Sequence, residues 1–307
     1  MTDFLGYVNT RTASRRRVAQ LAHHLLLHPQ TTMSTTTPQT VLITGVTSGL
    51  GRALSLELSK LGHQIIGCGR RQDKLDNLLQ ELNQVSPKEI HHLLLPCNVA
   101  DKESVETFAK TVLDFHHIIP DVVFANAGVS ITPAPLWDTT IENFEYIFRV
   151  NVTGVFHVLK YFIPPVLAAS RLPGATYKRI LATSSGLGHS TSPIAGSYSA
   201  TKFSVEAMMK SVAQALAQEK NIGAWPLAPG VIQTEMMRNH QMPTASEWAK
   251  DAAPYILQLG DHESTKSGSS VSVPGYYSEE YMATWIIENG QQLPSSVVAP
   301  FVTKKKR

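Results

Sequence analysis

A chain of 307 residues, 43% hydrophobic and 17% charged, has the composition of a globular protein with a sizeable core, as one large α/β domain or two small ones. Its formal net charge of +3 is too small to point to nucleic acid as a partner, and much of the basic excess sits at the two ends. Two cysteines, Cys68 and Cys97, form no metal-ligand pattern and fit a reduced intracellular protein better than a secreted one. No run of about 18 uninterrupted apolar residues announces a transmembrane helix, so no membrane is expected either.

Residues 1–38 read as a leader outside the fold. They carry Arg11, Arg15, Arg16 and Arg17 among many Ser, Thr and His residues, with Asp3 as the only acid. An Arg-rich, acid-poor leader suggests an organellar transit peptide. The alternatives are a disordered tail, or translation that starts at Met33. The expected location is cytoplasmic, or a plastid or mitochondrion if residues 1–32 are a transit peptide.

From Gln39 the chain alternates. A β-branched apolar run, Val41–Thr44, passes through Gly45, Gly49 and Gly51 into an apolar-periodic segment with Ala53, Leu54, Leu56, Leu58 and Leu61. This reads as a buried strand, a tight turn and an amphipathic helix. Further strands are expected at Gln64–Cys68, Ile90–Leu95, Asp121–Ala125, Arg179–Ser184, Ile222–Ala228 and Ser270–Val273. Helical patterns fall at Gly49–Leu61, Gln72–Leu82, Lys102–Phe115, Thr140–Phe162 and Ser197–Gln218. Strands alternating with helices predict a Rossmann-type doubly wound α/β fold, a parallel sheet of about seven strands with helices on both faces. Residues 39–275 form a single domain in this reading, and 276–307 a C-terminal extension with a basic tail.

The turn after the first strand has a chemical meaning. Glycine lets the backbone approach a ligand closely, and the helix that follows aims free N–H groups and its dipole at that point, which favours a pyrophosphate. A carboxylate near the end of the second strand would bind an adenosine ribose 2′-hydroxyl and select NAD. Here the stretch is Gly67-Cys68-Gly69-Arg70-Arg71, with Gly69 where the acid would sit. Two arginines after a missing acid suit a 2′-phosphate, and so NADP (NADPH) over NAD; otherwise Arg70 and Arg71 simply begin a solvated helix face.

Tyr198 and Lys202 stand at i and i+4 on one face of a helical pattern. A nearby ammonium favours a phenolate and is expected to lower the Tyr198 pKa by about 1–3 units, toward general acid–base use. Ser185 lies thirteen residues before Tyr198, with Ser184 as the adjacent alternative. Asn151 sits in the middle of a helical pattern, where an amide is unfavourable unless its side chain is engaged.

Thr44-Gly45-x-x-x-Gly49-x-Gly51 resembles the TGxxxGxG pattern of the short-chain dehydrogenase/reductase family. The later segments resemble that family too, and in order: Asn98-Val99, Asn126-Ala127-Gly128, Ser185 with Tyr198-x-x-x-Lys202, and Pro229-Gly230-Val231-Ile232-Gln233-Thr234. Two positions depart from it, Asn98 where the family has Asp, and Ala125 where it has a first Asn. The resemblance implies a cofactor cradle of Gly45, Thr47, Ser48, Gly49, Leu50, Gly51, Arg70, Arg71, Asn98, Val99, Asn126, Ala127, Gly128, Tyr198, Lys202, Pro229, Gly230, Ile232 and Thr234. It also implies a catalytic set: Tyr198 passes a proton to a substrate oxygen, Lys202 grips the nicotinamide ribose, Ser185 orients the carbonyl and Asn151 supports a relay to the lysine. No metal is expected, because the histidine pairs His23-His24, His91-His92 and His116-His117 lack ligand spacing.

Substrate contacts are expected from Val129–Trp137, Leu187–Gly196 and Glu235–Trp248, which mix Ile131, Pro133, Leu136, Trp137, Met236 and Met237 with small polar residues. Arg238 is the lone basic candidate there. A partly apolar aldehyde or ketone fits, a small-molecule carbonyl or alcohol. The stretch from Ala228 onward resembles plant NADPH-dependent pterin aldehyde reductases, and Gly69–Gln72 resembles bacterial NADP-dependent 3-hydroxy-acid dehydrogenases. An NAD-linked dehydrogenase and a non-catalytic nucleotide-binding regulator are the rival readings. The family implies a homodimer or homotetramer built on the helices at 140–162 and 197–218. Tyr276, Tyr277, Tyr281 and Trp285 suit a capping helix, a subunit contact or a surface helix, and Lys304–Arg307 a solvated tail or a basic patch.

Overall fold

The computed structural model describes residues 37–236, 242–261, 266–274 and 276. Residues 1–36 of the leader, Met237, Arg238, Tyr277, Tyr281, Trp285 and the basic tail lie outside the described residues.

Strand β1 (Thr40–Thr44) is buried along its apolar stretch and hands over to helix α1 (Gly49–Lys60). α1 stops at Leu61–Gly62, where Gly62 takes φ +84° and the His63 N–H reaches back to the Leu58 carbonyl at 3.0 Å, a left-handed C-terminal cap. β2 (Gln64–Gly69), α2 (Gln72–Val85) and β3 (Leu93–Pro96) follow. α3 (Lys102–Lys110) starts at Asp101, whose carboxylate accepts from the Glu103 and Ser104 N–H groups, and ends in a π turn at Thr111–Phe115. After β4 (Val122–Ala125) come α4 (Ile141–Phe148), a π turn at Arg149–Thr153 and α5 (Gly154–Ser170). β5 (Lys178–Thr183), α6 (Gly196–Ala215), β6 (Ile222–Ala228), α7 (Ala245–Leu257) and the short β7 (Val271–Ser272) complete the order.

All ladders are parallel, and the seven strands lie in the order β3-β2-β1-β4-β5-β6-β7. Alternating side chains feed two cores. Val41, Ile43, Leu181, Trp225 and Leu227 face α1, α2 and α7. Leu42, Ile180, Ala182, Ile222 and Ala224 face α3, α5 and α6. Burial on both faces is why the strands read as unbroken apolar runs. The order reverses between β1 and β4, and the crevice at the carboxyl ends of those strands is where an open α/β sheet takes its ligand.

Five expectations change. The third strand starts at Leu93, not Ile90, because β3 is an edge pairing only with Ile66–Gly69 of β2. The helix expected at Thr140–Phe162 is broken by the π turn and then runs past Pro164 and Pro165 to Ser170. Two prolines cost hydrogen bonds, but buried Phe162 and Val166 on either side hold the segment against the sheet. The helix expected to run to Gln218 stops at Ala215. Helix α7 was not expected at all. Finally, Ile141–Ser170 is by length and composition apolar enough to cross a bilayer, with a mean hydropathy of 1.4 in its most apolar window; Ile147, Val155, Val158, Phe162 and Val166 spend much of that apolarity in the core.

Candidate active site

The glycine turn opens the site. Gly45 and Gly49 adopt φ +74° and +55°, a region that side chains with a Cβ rarely enter. A Cβ at Gly45 would also sit 2.9 Å from the Cα of Ala127, so the turns after β1 and β4 touch backbone to backbone. Ser48, the N-cap of α1, makes no side-chain bond to the first turn. The intrinsically unpaired N–H groups of that turn therefore face a cavity of about 1000 Å³, lined on this side by Gly45, Thr47, Ser48, Gly49 and Leu50. Gly51 lies beneath it, buried, where a Cβ would strike the Gly45 carbonyl oxygen at 2.5 Å.

At one end of the cavity stand Gly69, Arg70 and Arg71. The Arg71 guanidinium donates to Thr47 Oγ1 at 3.3 Å, which brings the cation back over the glycine turn. A Cβ at Gly69 would lie 2.5 Å from the Thr47 methyl, so a ribose-binding acid there would first have to displace Thr47. Asn98 and Val99 line the same end. The Asn98 Oδ1 accepts from the Ala100 N–H at 3.2 Å, shaping the turn into α3.

Asn126 lines the cavity, yet its side chain is committed elsewhere. Its Nδ2 donates to the Thr44 carbonyl at 2.9 Å, and its Oδ1 accepts from Thr183 Oγ1 at 3.1 Å. Thr44 Oγ1 in turn accepts from the Asn126 and Ala127 N–H groups. Asn126 thus laces the ends of β1, β4 and β5 and fixes Ala127–Gly128. Asn151 is fully buried. It pairs with Val129 through both backbone groups, accepting at 2.8 Å and donating at 2.9 Å, and also donates to Thr201 Oγ1 at 3.2 Å. That pairing accounts for an amide inside a helical stretch: it ties the loop after β4 to α6.

Opposite the glycine turn, α6 presents Tyr198 and Lys202 to the cavity, and the loop after β5 presents Ser185. Ser184 is 1% exposed and gives its hydroxyl proton to Glu206, which leaves Ser185 as the serine facing the Tyr198 phenol. The Lys202 ammonium donates to the Thr183 carbonyl at 2.7 Å and lies 5.5 Å from the Tyr198 ring centroid. It sits over the ring, and the expected downward pull on Tyr198 does not dominate. Burial pushes Tyr198 up to about 12, opposed by the hydrogen bond with Ser185. Burial lowers Lys202 to about 8. Tyr198 is therefore a neutral phenol at neutral pH.

The Lys202 value has a measurable consequence. Below pH 8 the ammonium is charged, and above it the charge is lost. If Lys202 holds an anionic cofactor, kcat/KM for that cofactor falls about tenfold per pH unit above about pH 8, since kcat/KM follows free-enzyme groups. Lys202→Arg, which stays charged, removes that limb even if its plateau is lower. A limb that survives in Lys202→Arg belongs to another group.

The loop after β6 closes the cavity with Pro229, Gly230, Ile232 and Thr234. Gly230 lies directly beneath the Tyr276 carbonyl; a Cβ would come within 1.9 Å of that oxygen. Of the expected substrate contacts, Ile131, Pro133, Leu187, Ile194 and Met236 line the cavity, whereas Leu136 and Trp137 do not. Trp137 is 81% exposed on a short 3₁₀ turn. Trp248 belongs to α7 and is wholly buried. Its helix had a legible start: Thr244 and Glu247 form a capping box, a T-x-x-E ahead of an apolar run. Ser130 and Thr132, small polar residues of the expected Val129–Trp137 stretch, also line the substrate side, together with two hydroxyls outside the expected segments, Thr139 and Ser197.

Residues 39–244 match the model of a family described as short chain dehydrogenase. Over 229 residues, 72% of this chain and 88% of the relative, the sequence is 39% identical to the NADPH-dependent pterin aldehyde reductase of Arabidopsis thaliana. An NADPH-dependent aldehyde reductase-like protein, chloroplastic, of the same plant is 28% identical over 77% of this chain and 93% of its own. Among solved structures, an alcohol dehydrogenase from the archaeon Thermococcus sibiricus, complexed with 5-hydroxy-NADP, superposes with a TM-score of 0.66 at 23% identity, covering 79% of this chain and 99% of that one. Levodione reductase does so with a TM-score of 0.68 at 22% identity, over 77% and 96%. At these identities the structural likeness speaks for the fold.

Proposed function

Since this chain belongs to the short-chain dehydrogenase family, whose members are NAD(P)-dependent oxidoreductases of alcohol and carbonyl groups, we propose that it is an NADPH-dependent reductase of aldehydes or ketones with Tyr198 as the proton donor. One observation carries the reading: a buried phenol, protonated at neutral pH, meets the Ser185 hydroxyl in the same cavity as the open helix N-terminus and the Arg71–Thr47 pair. The cradle fits a phosphorylated dinucleotide. The donors of the first turn of α1 suit its pyrophosphate. Arg70 and Arg71 suit the 2′-phosphate, and Gly69 stands where an acid would prefer an unphosphorylated ribose. When bound, NADPH supplies the hydride. Ser185 holds the carbonyl oxygen and Tyr198 gives it a proton as charge develops there. Lys202 holds the ribose and the relay, and Asn151 keeps Val129 and α6 in register.

The substrate side joins Ile131, Pro133, Ile194 and Met236 with the hydroxyls of Thr132 and Ser197, which suits a flat, partly polar carbonyl compound. The pterin aldehyde reductase relative makes pterin aldehydes the first substrates to try. The test is NADPH oxidation by the purified full chain against pterin aldehydes, simple aldehydes, ketones and 3-oxo acids. Faster turnover of pterin aldehydes supports the reading; turnover with NADH alone, or with no carbonyl at all, overturns it.

The helices flanking the site leave large apolar side chains in solvent: Phe144 at 38%, Phe156 at 51% and Phe203 at 43% exposure. We expect a homodimer or homotetramer built on these helices, measured by light scattering at micromolar concentration. Phe156→Glu should lower the measured mass. A monomeric wild-type chain refutes the expectation.

A further inference from the structure

Helix α6 carries a third ionisable residue on the face that presents Tyr198 and Lys202. Glu206 follows Lys202 at i+4, one turn deeper, and only 3% of it is exposed. A carboxylate taken from water must be held by donors, and here they come from three other elements of the fold. Ser184, just past the end of β5, donates to Glu206 Oε1 at 2.5 Å. Ser270, just before β7, donates to the same oxygen at 3.1 Å. His189, from the loop after β5, places Nε2 at 3.0 Å from it and at 3.0 Å from Ser270 Oγ. The second oxygen, Oε2, is buried without a hydrogen-bond partner among the described residues and has Lys210 Nζ at 3.9 Å.

This cluster lies under the short turn Gly186–Gly188, whose N-cap is Ser185. The contact has no slack. A Cβ at Gly188 would fall 2.8 Å from Ser184 Oγ, 3.1 Å from Glu206 Cγ and 3.2 Å from the Lys202 carbonyl. The turn in turn clasps Ser185, which accepts from the Leu187 N–H through Oγ at 3.2 Å and from the Gly188 N–H through its carbonyl at 2.8 Å.

We propose that Glu206 is a positioning residue: as a buried acceptor it locks Ser184 and the 186–188 turn to α6, and so sets Ser185 against Tyr198. This rests on the reading of Ser185 and Tyr198 given above. Displacement of a reacting group by about 1 Å costs up to about 10²-fold in rate, so the size of effect is testable.

Three full-length chains are compared: wild type, Glu206→Leu, which removes the acceptor, and Glu206→Gln, which keeps an oxygen for Ser184, Ser270 and His189. The expected result is a kcat about 10–100-fold lower in Glu206→Leu, with KM for NADPH within about twofold, and recovery of most of the rate in Glu206→Gln. Amide hydrogen exchange at Leu187 and Gly188 should quicken in the Leu variant and stay near wild type in the Gln variant. Unchanged kcat and exchange in Glu206→Leu, or an equal loss in Glu206→Gln, overturns the proposal. If Glu206→Leu does not fold, Ser184→Ala replaces it, with a smaller drop in kcat and the same quickening of exchange expected; a Ser184→Ala chain with wild-type kcat and wild-type exchange overturns the proposal. Exchange needs no turnover, so an inactive wild-type chain would sink the reductase reading while leaving this one still decided by the amides.

Discussion

Replacing Tyr198 with Phe should reduce carbonyl-reducing kcat by about 10²–10⁴-fold, while NADPH binds within about twofold of wild type. The hydroxyl is the only atom lost, and the ring keeps its packing against Lys202. With the phenol held at about 12, the intact residue is fully protonated across the neutral range, so a loss on this scale reports the missing donor. Steady-state turnover with a pterin aldehyde, together with NADPH fluorescence titration, makes the measurement. A Phe chain that keeps more than a tenth of its rate means that another group, or water, delivers the proton. A wild-type chain that binds NADPH and turns over no carbonyl leaves the regulatory reading standing.

The second large effect is expected at the other end of the cavity. Hydrogen bonds to charged groups contribute about 1.5–3 kcal/mol each, so Arg70→Ala with Arg71→Ala should weaken NADPH by about 10²–10⁴-fold and leave NADH nearly unchanged. The comparison matters more than either number. Equal weakening of both nucleotides would show that the arginines support the turn, through the Arg71–Thr47 bond, without choosing between cofactors. Equal binding of both by the wild-type chain would favour an NAD-linked dehydrogenase. Adding Gly69→Asp to the double variant should confer less NADH selectivity than adding it together with Thr47→Gly, because the new Cβ meets the Thr47 methyl at 2.5 Å.

Most of this architecture could be read from the chain because its signals are local. The β-branched run before Gly45 marks β1, and the arginines after Gly69 and the helical spacing of Tyr198 and Lys202 mark side chains that come to line one cavity. What escaped was set by distant partners. Glu206 reads as an ordinary helix-surface acid until β5 and β7 bring Ser184 and Ser270 to it. Asn126 reads as a ligand contact, and only the registry of β1, β4 and β5 shows its side chain fastening strands. The extent of α5 was misjudged because two prolines outweigh apolar periodicity on paper, while in the fold Phe162 and Val166 outweigh the prolines. The acidity of Tyr198 went the other way for a related reason: spacing reveals the ammonium but not the burial that opposes it.

The placement of β1 in the middle of the sheet has a bearing on how the chain is made. On one side it pairs with β2, where Val41 meets Ile65 after a single helix, but its other neighbour is β4, and Val41 waits for Val122. On a ribosome adding about 5–20 residues per second, that interval of roughly 80 residues lasts about 4–16 s. During it, the strand that leads into the glycine turn offers a bare apolar edge of the kind that recruits other chains. Pulse-labelled synthesis should find this nascent chain most aggregation-prone between the emergence of β1 and that of β4, and safe afterwards.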